Sequence, residues 1–531
     1  MKSPQFPLLT TLVLAAFFSF SWAILPHENF LQCLSLHSND SSSISKVIFT
    51  RKNSSYDSVL DSTLWNLRFN TTNTPKPLVI VKPTQISQIQ ATIHCSRKHG
   101  LQTRTRSGGH DYEGLSFTAK VPFVIIDLSN FRTVDVDVEN RVAWVQAGAT
   151  LGEIYYRIAE KNNSLAFPSA VFHTIGIGGH ISGGGIGLLL RKYGTAGDNV
   201  VDAQFIDVNG RVIDRKSMGE DLFWAIRGGG GGSFGIVLAW KLSLVSIPAN
   251  VTVCSVTRVR EQNGTELVHQ WQYIAHNLPD EVYSTVLVSG VNSTQPGTKT
   301  VLAIFNSLFL GTIDEFLPLM EQRFPELGLT RQNCTEMSYI RAIMVNNGMP
   351  NQPLEILLNG TSRVPIVSPS YKAKSDYVKE PISISGLNGL FSRLTDDAAA
   401  MATLILIPYG GIMDRIPENA TPFPHRAGNL YKIFYDVGWL ETDNINTQKY
   451  LDWARNAYSY MTPFVSKSPR EAYINFRDLD IGTNNIGHTS YAKASIWGNK
   501  YFKDNFRKLA QVKTMVDPQN FFKHEQSIPL L

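Results

Sequence analysis

Cysteine is scarce in this sequence of 531 residues, which contains only Cys33, Cys95, Cys254 and Cys334. So few cysteines do not make a disulfide scaffold, although an oxidising compartment allows one or two bridges among them. Their spacing matches no metal-binding motif. We therefore expect no metal site.

Runs of one charge and long apolar runs are also missing. The formal net charge of +5 is spread along the chain, without a basic run or interleaved aromatic residues, which disfavours nucleic-acid binding. After residue 23 no apolar stretch is long enough to span a bilayer. We expect neither nucleic acid nor a membrane as a partner.

The N-terminus has the pattern of a secretory signal. Lys2 precedes the apolar run LLTTLVLAAFFSF, and small residues in SWA predict cleavage after Ala23, so residues 1–23 form the signal. Secretion is also indicated by the density of glycosylation sequons, at Asn39, Asn53, Asn70, Asn162, Asn250, Asn263, Asn292, Asn333, Asn359 and Asn419.

The hydrophobic periodicity predicts an α+β protein with more than one domain. Short β-rich runs alternate with helices up to about Val245, and one helix is predicted from a Thr84 cap to Gly100. Longer alternating strands interrupted by helices follow, which predicts an antiparallel sheet with helices on one side. We place domains at 24–247 and 248–462, and a segment at 463–531 that returns to the first domain.

Three glycine-rich loops lie in the first domain, at residues 104–114, 176–187 and 226–237. Backbone without side chains lets amide groups approach a diphosphate or a flat ring. The usual nucleotide signatures are missing, since no Lys-Ser/Thr follows a glycine loop and no G-x-G-x-x-G ends a first strand. A doubly wound nucleotide domain is therefore disfavoured.

Six stretches resemble successive landmarks of the plant berberine bridge enzyme-like flavoproteins: RTRSGGHDYEGLS, GGHISGGGIGLLLRKYG, DLFWAIRGGGGGSFGIV, PHRAGNLYKI, PREAYINFRDLDIG and VDPQNFFKHEQSIP. The resemblance implies the vanillyl-alcohol-oxidase (PCMH) type of FAD fold. The first domain then binds FAD with two packed subdomains, and the second covers the isoalloxazine ring with a substrate site. It also implies secretion to the apoplast or cell wall and a Cys33–Cys95 bridge.

The resemblance also implies which residues hold the cofactor. His110 matches the histidine that bonds covalently to the flavin 8α-methyl carbon, whereas the alternative is a loop histidine that only binds backbone. The cofactor-binding set is His110, Arg106, Ser107, Gly108, Gly109, Ser116, Phe172, His173, Thr174, Gly178, Gly179, His180, Gly183, Gly184, Gly235, Ile236, Val237, Asn475 and Phe476.

One departure from the family pattern concerns the flavin linkage. Most members carry a second flavin-linking cysteine where this sequence has Phe172. We therefore expect FAD attached through His110 only, with a lower redox potential and slower substrate oxidation. His173 either faces the benzenoid side of the flavin or fills the gap. His180 is interpreted as a neutral imidazole that satisfies buried loop amides.

A second departure concerns the catalytic base. The family's basic positions are occupied by Phe434 and Phe476, which cannot accept a proton. We predict Tyr193, Lys432 and Tyr112 as catalytic residues, with Lys432 lowering the pKa of Tyr193. Alternatively, Tyr193 and Lys432 only shape and charge the pocket.

These observations predict a secreted, monomeric FAD-dependent oxidoreductase. Its substrate is a hydroxyl-bearing small molecule, either a carbohydrate or a phenylpropanoid alcohol, which loses a hydride to flavin N5. The electron acceptor is O₂ or another compound. The two phenylalanines favour apolar contact. In the alternative function FAD is structural, and the pocket performs a cyclisation or binds a ligand.

Overall fold

The computed structural model describes residues 26–37, 41–364, 369–487 and 489–531. The predicted signal at 1–23 and the sequon at Asn39 lie outside these ranges. In the described part of the chain, no helix has both the length and the apolar character needed to cross a membrane.

Short strands and helices alternate in the first part of the chain. Its strands are β1 (Ile48–Thr50), β2 (Val79–Val81), β3 (Gln102–Arg106), β4 (Phe123–Asp127), β5 (Val134–Asp137), β6 (Val142–Gln146), β7 (Leu165–Ala166), β8 (Val200–Ile206), β9 (Val212–Ile213), β10 (Ile236–Ser243) and β11 (Val245–Ser246). Its helices are α1 (Pro26–His37), α2 (Ser41–Ser45), α3 (Tyr56–Asp61), α4 (Ile86–Lys98), α5 (Leu151–Lys161), α6 (Ile177–Ser182), α7 (Leu190–Tyr193) and α8 (Arg215–Ile226).

Most of these strands form two sheets. One has the order β1-β2-β4-β3 and is partly parallel, and the other has the antiparallel order β5-β6-β10-β8-β9. Strand β4 is apolar up to its last residue and is buried along its whole length, as expected for a central strand covered on both faces. The predicted α+β class is confirmed.

The predicted start of helix α4 needs a correction. The cap is Gln85 rather than Thr84, because the side chain of Gln88 accepts hydrogen bonds from the backbone N–H groups of both residues, at 2.8 Å from Thr84 and 3.2 Å from Gln85. The helix ends at Lys98, and Gly100 then adopts a left-handed φ of +64°.

An antiparallel sheet dominates the second part of the chain. Its strands are β12 (Val251–Val259), β13 (Val282–Asn292), β14 (Lys299–Phe309), β15 (Cys334–Met337), β16 (Ser370–Val378), β17 (Ala402–Pro408) and β18 (Tyr431–Trp439), in the order β15-β12-β14-β13-β17-β18-β16. The helices are α9 (Gly264–Ile274), α10 (Ile313–Arg323), α11 (Tyr339–Asn346), α12 (Ile384–Ser392) and α13 (Thr447–Tyr460).

The two faces of this sheet have different neighbours. On β18, Ile433, Tyr435 and Val437 are buried in a core shared with helices α9, α10, α12 and α13. Side chains on the alternate positions, such as Phe434, face the first part of the chain. The predicted arrangement, with helices on one side of an antiparallel sheet, is confirmed.

The C-terminal segment packs against the first part of the chain. Its helices are α14 (Tyr491–Phe502) and α15 (Asn505–Val516), and α15 contacts α8. Lys372 of β16 ties the segment to the sheet, because its Nζ forms buried ion pairs with Glu113 and, at 2.6 Å, with Asp478. The strand that borders the site is thereby fixed to both neighbouring parts.

All four cysteines are paired. The Cys33–Cys95 bridge joins α1 to α4, which confirms the pairing implied by the resemblance. The second bridge joins Cys254 and Cys334, which face each other on the neighbouring strands β12 and β15. No cysteine thiol is left for another reaction.

The Cys254–Cys334 bridge spans 80 residues and is expected to stabilise the second domain. Replacing both cysteines with serine should lower the free energy of unfolding by about 2–5 kcal/mol, because the unfolded chain regains loop entropy. The measurement is the urea midpoint of the unfolding transition. A midpoint equal to that of the wild type would contradict this expectation.

Candidate active site

Two of the glycine-rich loops are in direct contact. A Cβ atom added to Gly108 would lie 2.2 Å from the backbone nitrogen of Gly176, so no side chain fits there. The hydroxyl of Ser107 donates to the carbonyl of Ala147 at 2.5 Å and holds the first loop against β6. The glycines therefore allow the His110 loop and the 176–187 loop to meet.

His110 lies buried at this contact. Its ring stacks on Trp65 with centroids 4.7 Å apart, and its Nε2 lies 2.8 Å from the hydroxyl oxygen of Thr174. Burial, with a smaller contribution from His173, lowers the pKa of His110 to about 3. The imidazole is therefore neutral at physiological pH, and Nδ1 is the nitrogen left for a further bond.

Phe172 stands where the resemblance implies a flavin-linking cysteine, and His173 is the next residue. The Phe172 ring lies edge-on to His110 at 5.6 Å. His173 is fully buried, and its Nδ1 accepts a hydrogen bond from the Asn347 side chain at 3.0 Å. Burial lowers the pKa of His173 to about 4. His173 thus links the loop to the end of α11.

His180 has the structural role predicted for it. Its Nε2 accepts a hydrogen bond from the backbone N–H of Ala170 at 3.3 Å, and burial lowers its pKa to about 4. Asn475 donates to the carbonyl of His180 at 2.9 Å and approaches Gly183, where an added Cβ would lie 2.0 Å from its Oδ1. These contacts hold the 176–187 loop in place.

The third glycine-rich loop contacts the end of α6. The backbone N–H of Gly230 donates to the carbonyl of Ser182 at 2.8 Å. Beyond the loop, Ile236 and Val237 of β10 pair with Ile206 and Phe205 of β8. All three predicted loops therefore converge around α6.

A group of aromatic rings surrounds Tyr112, two residues after His110. The ring of Tyr112 lies edge-on to Tyr371, Phe434 and Phe476 at centroid distances of 5.5, 5.9 and 5.7 Å. The Phe434 and Phe476 rings are 4.1 Å apart. We call these four residues the aromatic cluster. It brings together residues of the first domain, the sheet and the C-terminal segment.

Two ionisable groups lie beside the aromatic cluster on β18. Lys432 is fully buried, with Nζ 4.1 Å from the ring centre of Tyr473 and 4.3 Å from that of Phe476. Burial holds the pKa of Lys432 well below its usual range and raises the pKa of Asp436 to about 7. Among the described residues, neither Lys432 Nζ nor Asp436 Oδ1 has a hydrogen-bond partner.

The polar atoms of this region fit a flavin cofactor. The buried donors without a partner in the described chain include four from the predicted site and its surroundings, Ser116 Oγ, His173 Nε2, Lys432 Nζ and Arg477 Nη1. Buried donors normally have partners, and these suit the phosphate and carbonyl oxygens of FAD. At Gly179 an added Cβ would meet no protein atom within 4 Å, so the loop offers bare backbone there.

Comparison with known proteins decides the family. A family model described as "FAD binding domain" matches residues 77–215, and one described as "Berberine and berberine like" matches residues 472–529. Tetrahydroberberine oxidase of Berberis wilsoniae is 49% identical over 95% of this chain and 94% of its own. The chain belongs to the berberine bridge enzyme-like family of FAD-linked oxidoreductases.

Solved structures of berberine bridge enzyme-like proteins share the fold. One from Arabidopsis thaliana, number 28, has a TM-score of 0.89 and 45% identity, covering 95% of this chain and all of its own. Phl p 4, named as a grass pollen allergen with glucose dehydrogenase activity, has a TM-score of 0.88 and 40% identity over 94% of this chain and 99% of its own.

The predicted pair of Tyr193 and Lys432 is not formed in this family member. The Tyr193 hydroxyl donates to the carbonyl of Ser246 at 2.5 Å, and the lysine over its ring is Lys192, at 5.7 Å. Burial raises the pKa of Tyr193, with a smaller opposing effect of Lys192. The expectation that Lys432 lowers this pKa was therefore wrong.

Two predicted cofactor-binding side chains are engaged within the protein. Arg106 forms a buried ion pair with Asp127 at 2.7 Å and donates to the carbonyls of Val59 and Leu60. Ser107 Oγ is held by Ala147, as described above. These side-chain contacts shape the His110 loop.

The sequence prediction missed Asp436. It follows Lys432 and Phe434 at alternate positions of β18, so all three share one face of the sheet. That alternation was visible in the sequence YKIFYD. The family resemblance implies a base at the position of Phe434 instead.

Proposed function

We propose that this protein is an FAD-linked oxidoreductase that oxidises the hydroxyl group of a small aromatic alcohol, such as a phenylpropanoid alcohol. The observation that carries the proposal is the aromatic cluster, in which the Tyr112 ring lies 5.5–5.9 Å from the other three rings and Phe434 lies 4.1 Å from Phe476. Rings in edge-to-face and offset contacts favour a flat aromatic ligand. A carbohydrate needs more hydrogen-bonding groups than this cluster offers.

FAD, when bound, supplies the acceptor for a hydride from the substrate carbon. His110 would hold it by a single covalent bond, because Phe172 replaces the second linking residue and every cysteine is in a disulfide. The neutral His110 ring is positioned for this by Trp65 and Thr174. Lys432, whose pKa is lowered by burial and whose Nζ has no partner among the described residues, would offer a hydrogen-bond donor to the site.

The names of the relatives support an oxidation reaction, but they do not indicate a single class of substrate. Tetrahydroberberine oxidase acts, by its name, on tetrahydroberberine, and Phl p 4 is named for glucose dehydrogenase activity. The loss of a base at Phe434 and Phe476 favours the alternative in which FAD is structural. The buried His110 site favours redox chemistry.

Anaerobic mixing tests the proposed function. A hydroxycinnamyl alcohol is expected to bleach the visible absorption of the oxidised flavin faster than glucose or an oligosaccharide does. The corresponding hydroxycinnamic acid, which has no alcohol carbon to oxidise, serves as the control and should leave the spectrum unchanged. Failure of every alcohol and sugar to bleach the flavin would favour the structural role.

We further propose secretion to the apoplast or cell wall as a glycosylated monomer that uses O₂ or another electron acceptor. Sequon asparagines within the described ranges are exposed, apart from the half-buried Asn162 and Asn333. A sugar at an exposed asparagine costs no packing. Recovery of the protein from the wall fraction, with a mass that falls after deglycosylation, would support this location.

A further inference from the structure

We propose that Asp436 is the group that accepts the proton of the substrate hydroxyl. This inference rests on the proposed oxidation of an alcohol and names the base that Phe434 and Phe476 cannot supply. Asp436 lies two residues beyond Phe434 on the same face of β18. In this proposal β18 still carries a base, two residues beyond Phe434.

The register of the sheet places Asp436 beside the aromatic cluster. It pairs with Ala373 of β16 and Thr403 of β17, so its side chain shares their face of the sheet. Tyr371, two residues before Ala373, lies on that face and is edge-on to Tyr112. The carboxylate therefore borders the proposed substrate pocket.

The Asp436 side chain is half-buried, and one of its carboxylate oxygens is buried without a partner in the described part of the chain. Asp436 Oδ1 has no hydrogen-bond partner among the described residues, and no ion pair reaches it there. Two fully buried aspartates of the sheet region are paired: Asp376 binds Arg470 at 2.6 Å, and Asp478 binds Lys374 at 2.6 Å. A buried carboxylate oxygen without a partner is costly, which is typical of a group kept for function.

The surrounding groups leave Asp436 to titrate near neutral pH. Burial raises its pKa to about 7, and it also keeps the pKa of Tyr112 and of Tyr371 above the usual range for tyrosine. Asp111 is ion-paired with Arg477 at 2.7 Å. β17 presents Thr403, which does not titrate, and on β18 burial lowers the pKa of Lys432. A base with a pKa near the working pH is the most effective.

The proposed step oxidises the alcohol, with Asp436 as proton acceptor and FAD as hydride acceptor. A primary alcohol loses two electrons and two hydrogens to become an aldehyde. The hydroxyl proton would pass to the Asp436 carboxylate as the O–H bond breaks, and the hydrogen of the adjacent C–H bond would leave with its electron pair as hydride, for which FAD would be the acceptor. Asp436 then returns its proton to solvent.

The rate of flavin reduction tests the assignment. With a hydroxycinnamyl alcohol under anaerobic conditions, the limiting rate of the wild type should rise with pH through about 7, as Asp436 loses its proton. Asp436→Asn should lower that rate by about 10²- to 10⁴-fold and remove the rise. Asp414→Asn changes a carboxyl whose pKa burial also raises, outside the site, and should behave like the wild type.

A second readout does not depend on turnover. Infrared spectra of the oxidised protein without substrate should show a carboxylic acid band that disappears as the pH rises through about 7. This band should be missing in D436N and present in D414N. If D436N fails to take up FAD, Asp436→Ala replaces it, and added formate should restore part of its rate. A purely structural role would show no such rescue.

The outcomes separate this inference from the proposed function. If the wild type is reduced and D436N matches it within about threefold with the same pH dependence, Asp436 is not the acceptor. If the infrared band titrates as expected but no alcohol reduces the wild type, the proposed oxidation fails, and the role of Asp436 in it fails too. A slow D436N without the pH-dependent rise supports both.

Discussion

Replacing His110 with alanine is expected to abolish the covalent attachment of FAD. After denaturation the wild-type protein should carry the mass of one FAD, whereas His110→Ala should carry none. The physical reason is that His110 is buried and neutral, with Nε2 beside Thr174 and Nδ1 available for the bond. Intact-protein mass spectrometry under denaturing conditions measures the difference.

The disulfides exclude a cysteine linkage to FAD. Cys33, Cys95, Cys254 and Cys334 are all in disulfides, so no thiol can provide a second or substitute linkage. His276→Ala is the control, because it removes a half-buried histidine outside the three glycine loops and should retain the full FAD mass. A wild type without an adduct, or an H110A protein that keeps one, would contradict single attachment through His110.

Much of the fold could be predicted from local patterns. The apolar run of β4 and the reciprocal cap of Thr150 and Glu153 at α5 are properties of adjacent residues. The Cys254–Cys334 bridge could not be predicted, because it depends on the pairing of β12 with β15 across 80 residues. The Cys33–Cys95 bridge was predicted only through the family resemblance.

The candidate site could likewise be predicted only in part. The three glycine loops and His110 follow from motifs, and the structure brings them together. The tyrosine beside Lys432 could not be predicted, because it depends on how the strands are oriented. In the structure it is Tyr473, whereas Tyr193 binds the carbonyl of Ser246. Strand alternation in YKIFYD is enough to put Asp436 on the face of Phe434, although the prediction did not use it, and the lack of a partner for Asp436 Oδ1 is visible only in the folded chain.

Gly179→Val is expected to fold normally and to lose FAD incorporation. An added Cβ at Gly179 meets no protein atom within 4 Å, and its φ is not left-handed, so the chain itself tolerates a side chain there. The neighbouring glycines are different, because a Cβ at Gly176 would lie 2.0 Å from Ser107 Oγ and one at Gly178 would lie 2.8 Å from the carbonyl of Ala147. Bulk at position 179 should therefore block only a ligand that packs on the backbone of the loop.

Gly487→Val provides the matched control. An added Cβ at Gly487 also meets no atom within 4 Å, but Gly487 lines a surface cleft with Gln102, at the end of β3 opposite the His110 loop. Circular dichroism should show unchanged secondary structure for both variants, while the flavin absorbance per protein should fall to near zero only in G179V. Equal flavin content in G179V and G487V would show that the cofactor does not pack on this loop, and the assignment of Gly179 to FAD binding would then be wrong.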